Sequence, residues 1–244
     1  MISKAQIKYI QSLQHKKYRQ KFGQFVAEGD KIVQELLQGT YGVKAVYATK
    51  TWLEAQAPLA QKSVEVLEVD EAVLKQLSSL STPNQAVALV DIPPAPQPVL
   101  QGNITLALEA IRDPGNMGTI IRIADWFGVR QIICTPDCVD AYNAKTIQAT
   151  MGSIMRVPVI ETDLAALLKT PGQVASYAAT LHGNNIADTK KLQEGIILIG
   201  NESRGLSEEI ITLSSHQITI PRIGQAESLN AAVATGIICG RLLI

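Results

Sequence analysis

The 244-residue chain has no apolar run approaching the roughly 20 residues needed to span a bilayer, and its start, Met1-Ile2-Ser3-Lys4, lacks the apolar core of a secretory signal. A cytoplasmic protein with no membrane partner is expected. Cysteine is scarce: Cys134, Cys138 and Cys239 cannot all pair, and no second Cys/His cluster completes a zinc spacing with the first two. They read as buried thiols, with no metal. Net charge is zero, which argues against simple polyanion adhesion. The Gly-x-Gly-x-x-Gly turn and the Gly-x-x-x-x-Gly-Lys-Ser/Thr loop are both missing, which weighs against a doubly wound nucleotide-dependent enzyme. There is no internal repeat.

With 46% hydrophobic residues, the chain can bury a proper core, and its length fits two ordinary domains. Charge is unevenly placed. Residues 1 to 27 carry Lys4, Lys8, Lys16, Lys17, Arg19 and Lys21 with no acid before Glu28. Such a basic arm suits phosphate contacts, with Tyr9, His15 and Tyr18 for stacking. The same segment also fits an amphipathic helix turning Ile7, Ile10 and Leu13 to the core. Four prolines in 91–98 favour an extended spacer. The predicted division is a first, smaller domain over 1–92, a linker over 93–102 and a second domain over 103–244.

Before the spacer, β-rich runs at 43–49, 64–69 and 85–90 alternate with helical runs, one opened by Asp70 as N-cap. After it, strands are expected at 104–109, 131–134, 156–160, 174–179, 196–200 and 217–220. Helices are expected at about 119–127, 143–150, 163–169 and 207–214, with a last one from Ser228. Near-continuous apolar strands separated by helices predict a mainly parallel sheet covered on both faces, an α/β fold preceded by a small α/β domain.

Three stretches join turn chemistry to polar side chains at strand ends, where α/β sheets place ligands. The first is Asp113-Pro114-Gly115-Asn116-Met117-Gly118 leading to Arg122. Asn116 and Arg122 lie about 240° apart on an ideal helix, so the loop is expected to hold Asn116 and the helix to begin near Thr119. Arg122 would then sit in the first turn, where a cation is disfavoured; pairing with Asp113 or Asp125 is the bland alternative. The second is Gly200-Asn201-Glu202-Ser203-Arg204-Gly205, where Gly200 would let a ligand approach the backbone. A simple strand-to-helix turn, with Glu202 paired to Arg204, is the alternative. The third runs from Pro221 through Gly224 to Glu227-Ser228-Leu229-Asn230, with Ser228 as the expected cap of a helix bearing Ala232, Gly236 and Gly240 every four residues. That stripe suits packing on the sheet or a subunit interface.

In this order and spacing the motifs resemble the three signatures of the SpoU (TrmH-like) branch of the SPOUT RNA 2′-O-ribose methyltransferases, over roughly residues 103 to 244. The segment Tyr18 to Phe22, followed by Phe25-Val26-Ala27-Glu28-Gly29, is similar to that family's substrate-binding domain. The resemblance implies a C-terminal trefoil knot, a homodimer and S-adenosylmethionine as cofactor. It implies cofactor contacts from Gly200, Ile220, Leu229, Ile199 and Thr180. It makes Arg122 the catalytic arginine, with Asn116, Glu202, Ser228 and Asn230 shaping the site. The substrate implied is RNA, with ribosomal RNA favoured over transfer RNA; a transfer RNA enzyme and an inactive RNA-binding relative are the alternatives. Arg222 and the small pair Ala231-Ala232 depart from the family's frequent choices.

Methyl transfer from a sulfonium needs the ribose oxygen in line with the methyl carbon and relieved of its proton. A guanidinium is a poor general base. Arg122 is therefore expected to stabilise the forming alkoxide, or to position a substrate phosphate that shares the proton.

Overall fold

The computed structural model describes residues 2–56, 64–80, 82–170, 172 and 174–244. The chain opens with α1 (Lys4–Ser12), α2 (Lys16–Phe22), β1 (Gln24–Glu28), α3 (Asp30–Gln38) and β2 (Val43–Ala48). Then come α4 (Lys50–Ala55), β3 (Glu65–Glu68), α5 (Glu71–Leu77) and β4 (Ala86–Asp91). After the prolines follow β5 (Ile104–Leu108), α6 (Pro114–Trp126), β6 (Gln131–Cys134), α7 (Ala144–Thr150), β7 (Val159–Glu161), α8 (Leu164–Lys169) and β8 (Ser176–Asn185). The chain ends with β9 (Gly195–Ile199), α9 (Glu208–Leu213), β10 (His216–Thr219) and α10 (Ala231–Leu243). Two compact units result: Met1–Pro94 with Tyr142–Met155, and Ala95–Ala141 with Arg156–Ile244.

The first unit holds a four-stranded sheet in the order β1-β4-β2-β3, antiparallel except for the β2/β3 pair. Ile10 and Leu13 join its core with Tyr47, Leu74 and Leu77, so the start of the chain is a packed amphipathic helix. Its N-terminus is secured by a capping box between Ser3 and Gln6. Arg19, expected in a basic arm, is buried and donates to the Leu13 carbonyl at 2.7 Å, while Tyr9, Tyr18 and Phe22 pack against one another. Buried Glu28 is hydrogen-bonded by the hydroxyls of Ser78 and Ser79, as a buried carboxylate requires. Strand β1 is too short and mixed to stand out in the sequence. Residues 142–155, distant in sequence, pack with this unit: Gln148 donates to the Glu28 carbonyl at 2.9 Å, and the Tyr142 ring lies 4.9 Å from that of Phe25.

The second unit is a six-stranded sheet, β10-β8-β9-β5-β6-β7, in which every neighbouring pair is parallel. Alternate residues of its strands serve opposite faces. Ala107, Ile133, Ile196 and Leu198 pack with Leu164 and Ile210 of α8 and α9, and α6 and α10 pack on each other. The predicted strands at 104–109, 131–134 and 196–200 coincide with β5, β6 and β9 to within a residue at each end.

Three expectations change. Helix α6 begins at Pro114, with Asp113 as N-cap accepting from the Asn116 amide at 2.8 Å and proline at the first position, where its missing N–H costs nothing. Asn116 is thus helical, and Arg122 lies in the third turn, so the argument from a cation at a helix N-terminus falls away. The last helix is capped by Asn230, whose side chain accepts from the Ala232 and Val233 amides; Ser228 stands in an exposed, non-helical stretch before it. The half-buried glycines of the stripe lie against α6: a Cβ at Gly236 would touch Ile123 at 3.7 Å and one at Gly240 would touch Phe127 at 3.6 Å, which lays α10 alongside α6 in the same direction.

Candidate active site

Helices α6 and α10 start side by side because their caps and first turns meet. The Asn230 side chain has one oxygen, and the helix claims it through the amides of residues 232 and 233. Its Nδ2 is therefore the free end, and it donates to Asn116 Oδ1 at 2.8 Å. That fixes the Asn116 amide in turn, leaving its Nδ2 to donate to Glu202 Oε1. A cap thus orients two amides and ends on a carboxylate, drawing one residue from each of the three motifs. Glu202 also sits where two 13-residue helices begin, and the positive ends of their dipoles favour a negative charge there.

Glu202 is carried by a closed loop after β9. Asn201 and Gly205 exchange backbone hydrogen bonds of 3.1 and 2.8 Å, Asn201 Nδ2 donates to the Ala110 carbonyl at 2.9 Å, and Asn201 Oδ1 accepts from the Ser203 amide. A Cβ at Gly200 would collide with the Gly205 and Leu206 backbone. The glycine is required by its own loop's return, whether or not a ligand also approaches it. Glu202 is bonded to Asn116 and does not pair with Arg204.

The other expected site residues are placed less compactly. Arg122, six residues beyond Asn116, is exposed, and among the described residues it makes no hydrogen bond or ion pair. Both bland partners are otherwise engaged: Asp113 caps α6, and Asp125 accepts from Arg156 at 2.9 Å. Ser228 is exposed and outside the amide chain. Ile199 is buried, Gly200 and Ile220 are half-buried, and Leu229 is 44% exposed. Residues 221–230 are exposed throughout, with Ile223 wholly so, and Arg222 donates to the Ala226 carbonyl at 3.2 Å.

Thr180 lies in a feature that apolar periodicity did not show. Strand β8 was expected to stop at Ala179 but runs to Asn185, and its register against β10 jumps from Ala178 opposite Gln217 to Asn184 opposite Ile218. Residues 179–183 form the excursion. Gly183 permits it, since a Cβ there would meet the Gln217 and Ile218 backbone at 2.5 Å. Within it, the Thr180 hydroxyl is buried and, among the described residues, has no hydrogen-bond partner, the condition a polar ligand relieves. Glycine at 183 was the sequence signal for this bulge.

All three cysteines are buried, as expected, and the described residues contain no cluster of metal-binding side chains. Cys138 is distinctive. Its thiol is lowered to about 7 by a hydrogen bond with Cys134, aided by Thr135 and the Ile111 amide, while burial alone pushes Cys239 up to about 12.

Comparison with known proteins bears on both units. Residues 103–240 match the SpoU rRNA Methylase family and residues 4–88 match the MRM3-like substrate binding domain. A 23S rRNA (guanosine(2553)-2′-O)-methyltransferase of Bacillus subtilis is 28% identical over 236 residues, 95% of this chain and 93% of that protein. The structure of a putative RNA methyltransferase of the TrmH family from Porphyromonas gingivalis superposes with a TM-score of 0.89 at 34% identity, over 99% of this chain and 98% of that one. An AdoMet-bound rRNA methyltransferase from Sinorhizobium meliloti gives 0.87 at 30% identity, over 99% and 95%. With the family match spanning more than half of its length and the polar residues of three motifs joined in one hydrogen-bonded chain, the protein belongs to the SpoU rRNA methylase family.

Proposed function

We propose that this protein transfers a methyl group from S-adenosylmethionine to a ribose 2′-oxygen of ribosomal RNA. The observation that carries the proposal is the Asn230–Asn116–Glu202 chain, which gathers one polar residue from each of three distant motifs at one point. The 23S rRNA relative spans nearly the whole of both chains and supports ribosomal over transfer RNA.

The residues present fit the cofactor. Thr180 supplies an unsatisfied hydroxyl, and Ile220 and Leu229 supply partly exposed apolar surface. With the backbone at Gly200 and Ile199, they are the groups proposed to hold it; when bound, it supplies an electrophilic methyl on a sulfonium. Apolar walls favour a transition state in which that charge is being lost. The amide chain holds Glu202 in one orientation, and Ser228 and Asn230 stand beside the ribose. Arg122 stabilises the forming alkoxide or grips the substrate phosphate. The trefoil knot is part of this reading: β10 lies at the sheet edge beyond β8, yet α10 returns to α6.

A homodimer is also proposed. Trp126 of α6 is 84% exposed, and Val233 and Ile237 of α10 are 51% and 41% exposed, apolar surface of a kind that marks interfaces. Light scattering is expected to give twice the chain mass for the wild type and a monomer for Val233→Glu. A single-chain mass for the wild type removes the dimer.

Transfer of a radiolabelled methyl group to ribosomal RNA from cells lacking the protein, with 2′-O-methylation mapped by nucleotide, tests the activity. Incorporation at one ribose is expected. Absence of incorporation into ribosomal RNA, or incorporation into transfer RNA alone, overturns the assignment.

A further inference from the structure

A cleft of about 530 Å³ opens among the loops that follow β5, β6 and β9, at the carboxyl ends of three parallel strands. That is where α/β sheets receive ligands, and the volume suits one nucleotide. None of the residues assigned to the cofactor or to the amide chain lines it. Asn201 and Ser203 do line it, while Glu202 between them is bonded to Asn116. The cleft is therefore a second chamber sharing one loop with the proposed catalytic cluster.

Its charges differ in how far they are already committed. Glu109 accepts from the Ser207 hydroxyl at 2.6 Å and the Ser207 amide at 2.7 Å, and Asp137 accepts from the Thr135 hydroxyl at 2.6 Å. The two cations are freer. Arg204 is exposed and, among the described residues, has no hydrogen bond or ion pair. Arg112 reaches Asp137 only at 4.0 Å, with both side chains more than half exposed, a geometry of little energetic weight. They project from different loops on the same cleft.

The wall between them is strained. Ala110 has φ +55°, which a residue with a Cβ seldom adopts, and it is held there from both sides. Its amide donates to Thr135 Oγ1 at 3.0 Å, and its carbonyl accepts from Asn201 Nδ2 at 2.9 Å. Strain fixed by two neighbouring loops is characteristic of ligand clamps.

We infer that this cleft holds one nucleotide of the RNA strand flanking the methylated ribose, with Arg112 and Arg204 binding its phosphates. The planar forks of two guanidinia match phosphate oxygens, and a clamp beside Glu202 sets the distance between a neighbouring phosphate and the reacting ribose. The inference rests on the RNA methyltransferase reading above.

The test uses full-length Arg112→Ala, Arg204→Ala and the matching Lys variants. RNA affinity is measured on in vitro transcribed 23S ribosomal RNA at several salt concentrations, beside S-adenosylmethionine affinity and methyl-transfer rates. Each Ala variant is expected to weaken RNA binding about 5- to 10-fold and to reduce the salt slope by about 1. KM for RNA should rise with kcat changed less than about threefold, and donor affinity should be unchanged. The Lys variants should recover the salt slope but only part of the affinity. Wild-type RNA affinity and slope in both Ala variants, with methyl transfer intact, overturns the inference alone, as does an equal loss of donor affinity. Failure of the wild type itself to bind and methylate the RNA overturns the underlying reading with it.

Discussion

Asn116 and Arg122 stand six residues apart on one helix, about 240° around its axis from each other, and their surroundings differ sharply. Asn116 is held at both ends of its amide by groups whose own orientations are fixed, so its geometry is complete within one chain. Arg122 is exposed and unengaged, beside other exposed elements: Trp126 one turn on, and the whole of residues 221–230. One helix thus carries a finished half of the proposed site and an open half. The finished half sets orientation in advance, while the open half awaits a substrate and, in the dimer proposed above, a second subunit.

The sharpest way to break that contrast is Arg122→Ala. With no described residue bonded to the side chain, the fold and donor affinity should be unchanged, while turnover falls by about 10²- to 10³-fold. Arg122→Lys should also fail, since a point charge does not reproduce the planar fork. Single-turnover kinetics beside calorimetric donor titration separates these effects, and retained turnover removes the catalytic assignment. The counterpart is Asn116→Asp, which sets a second carboxylate against Glu202 and removes the donor between them. Turnover should drop about 10²-fold, and, unlike the Arg122 variants, the protein should melt at a lower temperature. A variant with wild-type melting and rate would show that the amide chain does not organise the site.

A smaller effect concerns the loop that carries Glu202. Gly200→Ala forces a methyl into the Gly205–Leu206 backbone and should cost roughly 1–3 kcal/mol, read in denaturant melts. Unchanged stability would mean that the loop yields freely. The least effect is expected from Cys138. Its folded thiol ionises near 7 against an ordinary 9.0, so its contribution is fully present above pH 9 and is lost as pH falls through 7. Stability should therefore rise by roughly 1–2 kcal/mol between those limits. Cys239 acts in the opposite sense, but only from pH 9 upward. Cys138→Ser should flatten the rise; persistence of the slope would assign it elsewhere.

What was legible follows the physics of each signal. Strands β5, β6 and β9 are buried on both faces and read as unbroken apolar runs, so their limits came out nearly right. The start of α6 was missed although Asp113 followed by Pro114 is a cap-and-proline signature; the demand that Asn116 and Arg122 face one site put Asn116 in a loop and outweighed it. Asn230 lost to Ser228 as the last cap because both residue types serve; the amides of Ala232 and Val233 bond to Asn230 and start the helix at Ala231. The motif residues Asn116, Glu202 and Asn230 were recognisable by order and spacing, but not their hydrogen-bonded sequence. Burial of Arg19, the β8 excursion and the packing of residues 142–155 with the first unit depend on partners far away in the chain, which local pattern does not encode.

The cap of the final helix has a further consequence. The amide that starts α10 is also the first link of the chain to Glu202, so loosening of that first turn and loss of the site's alignment are a single event. Warming should therefore silence the enzyme before the sheet gives way, and a reagent that stiffens the carboxyl-terminal helix should widen its working temperature without touching any reacting group.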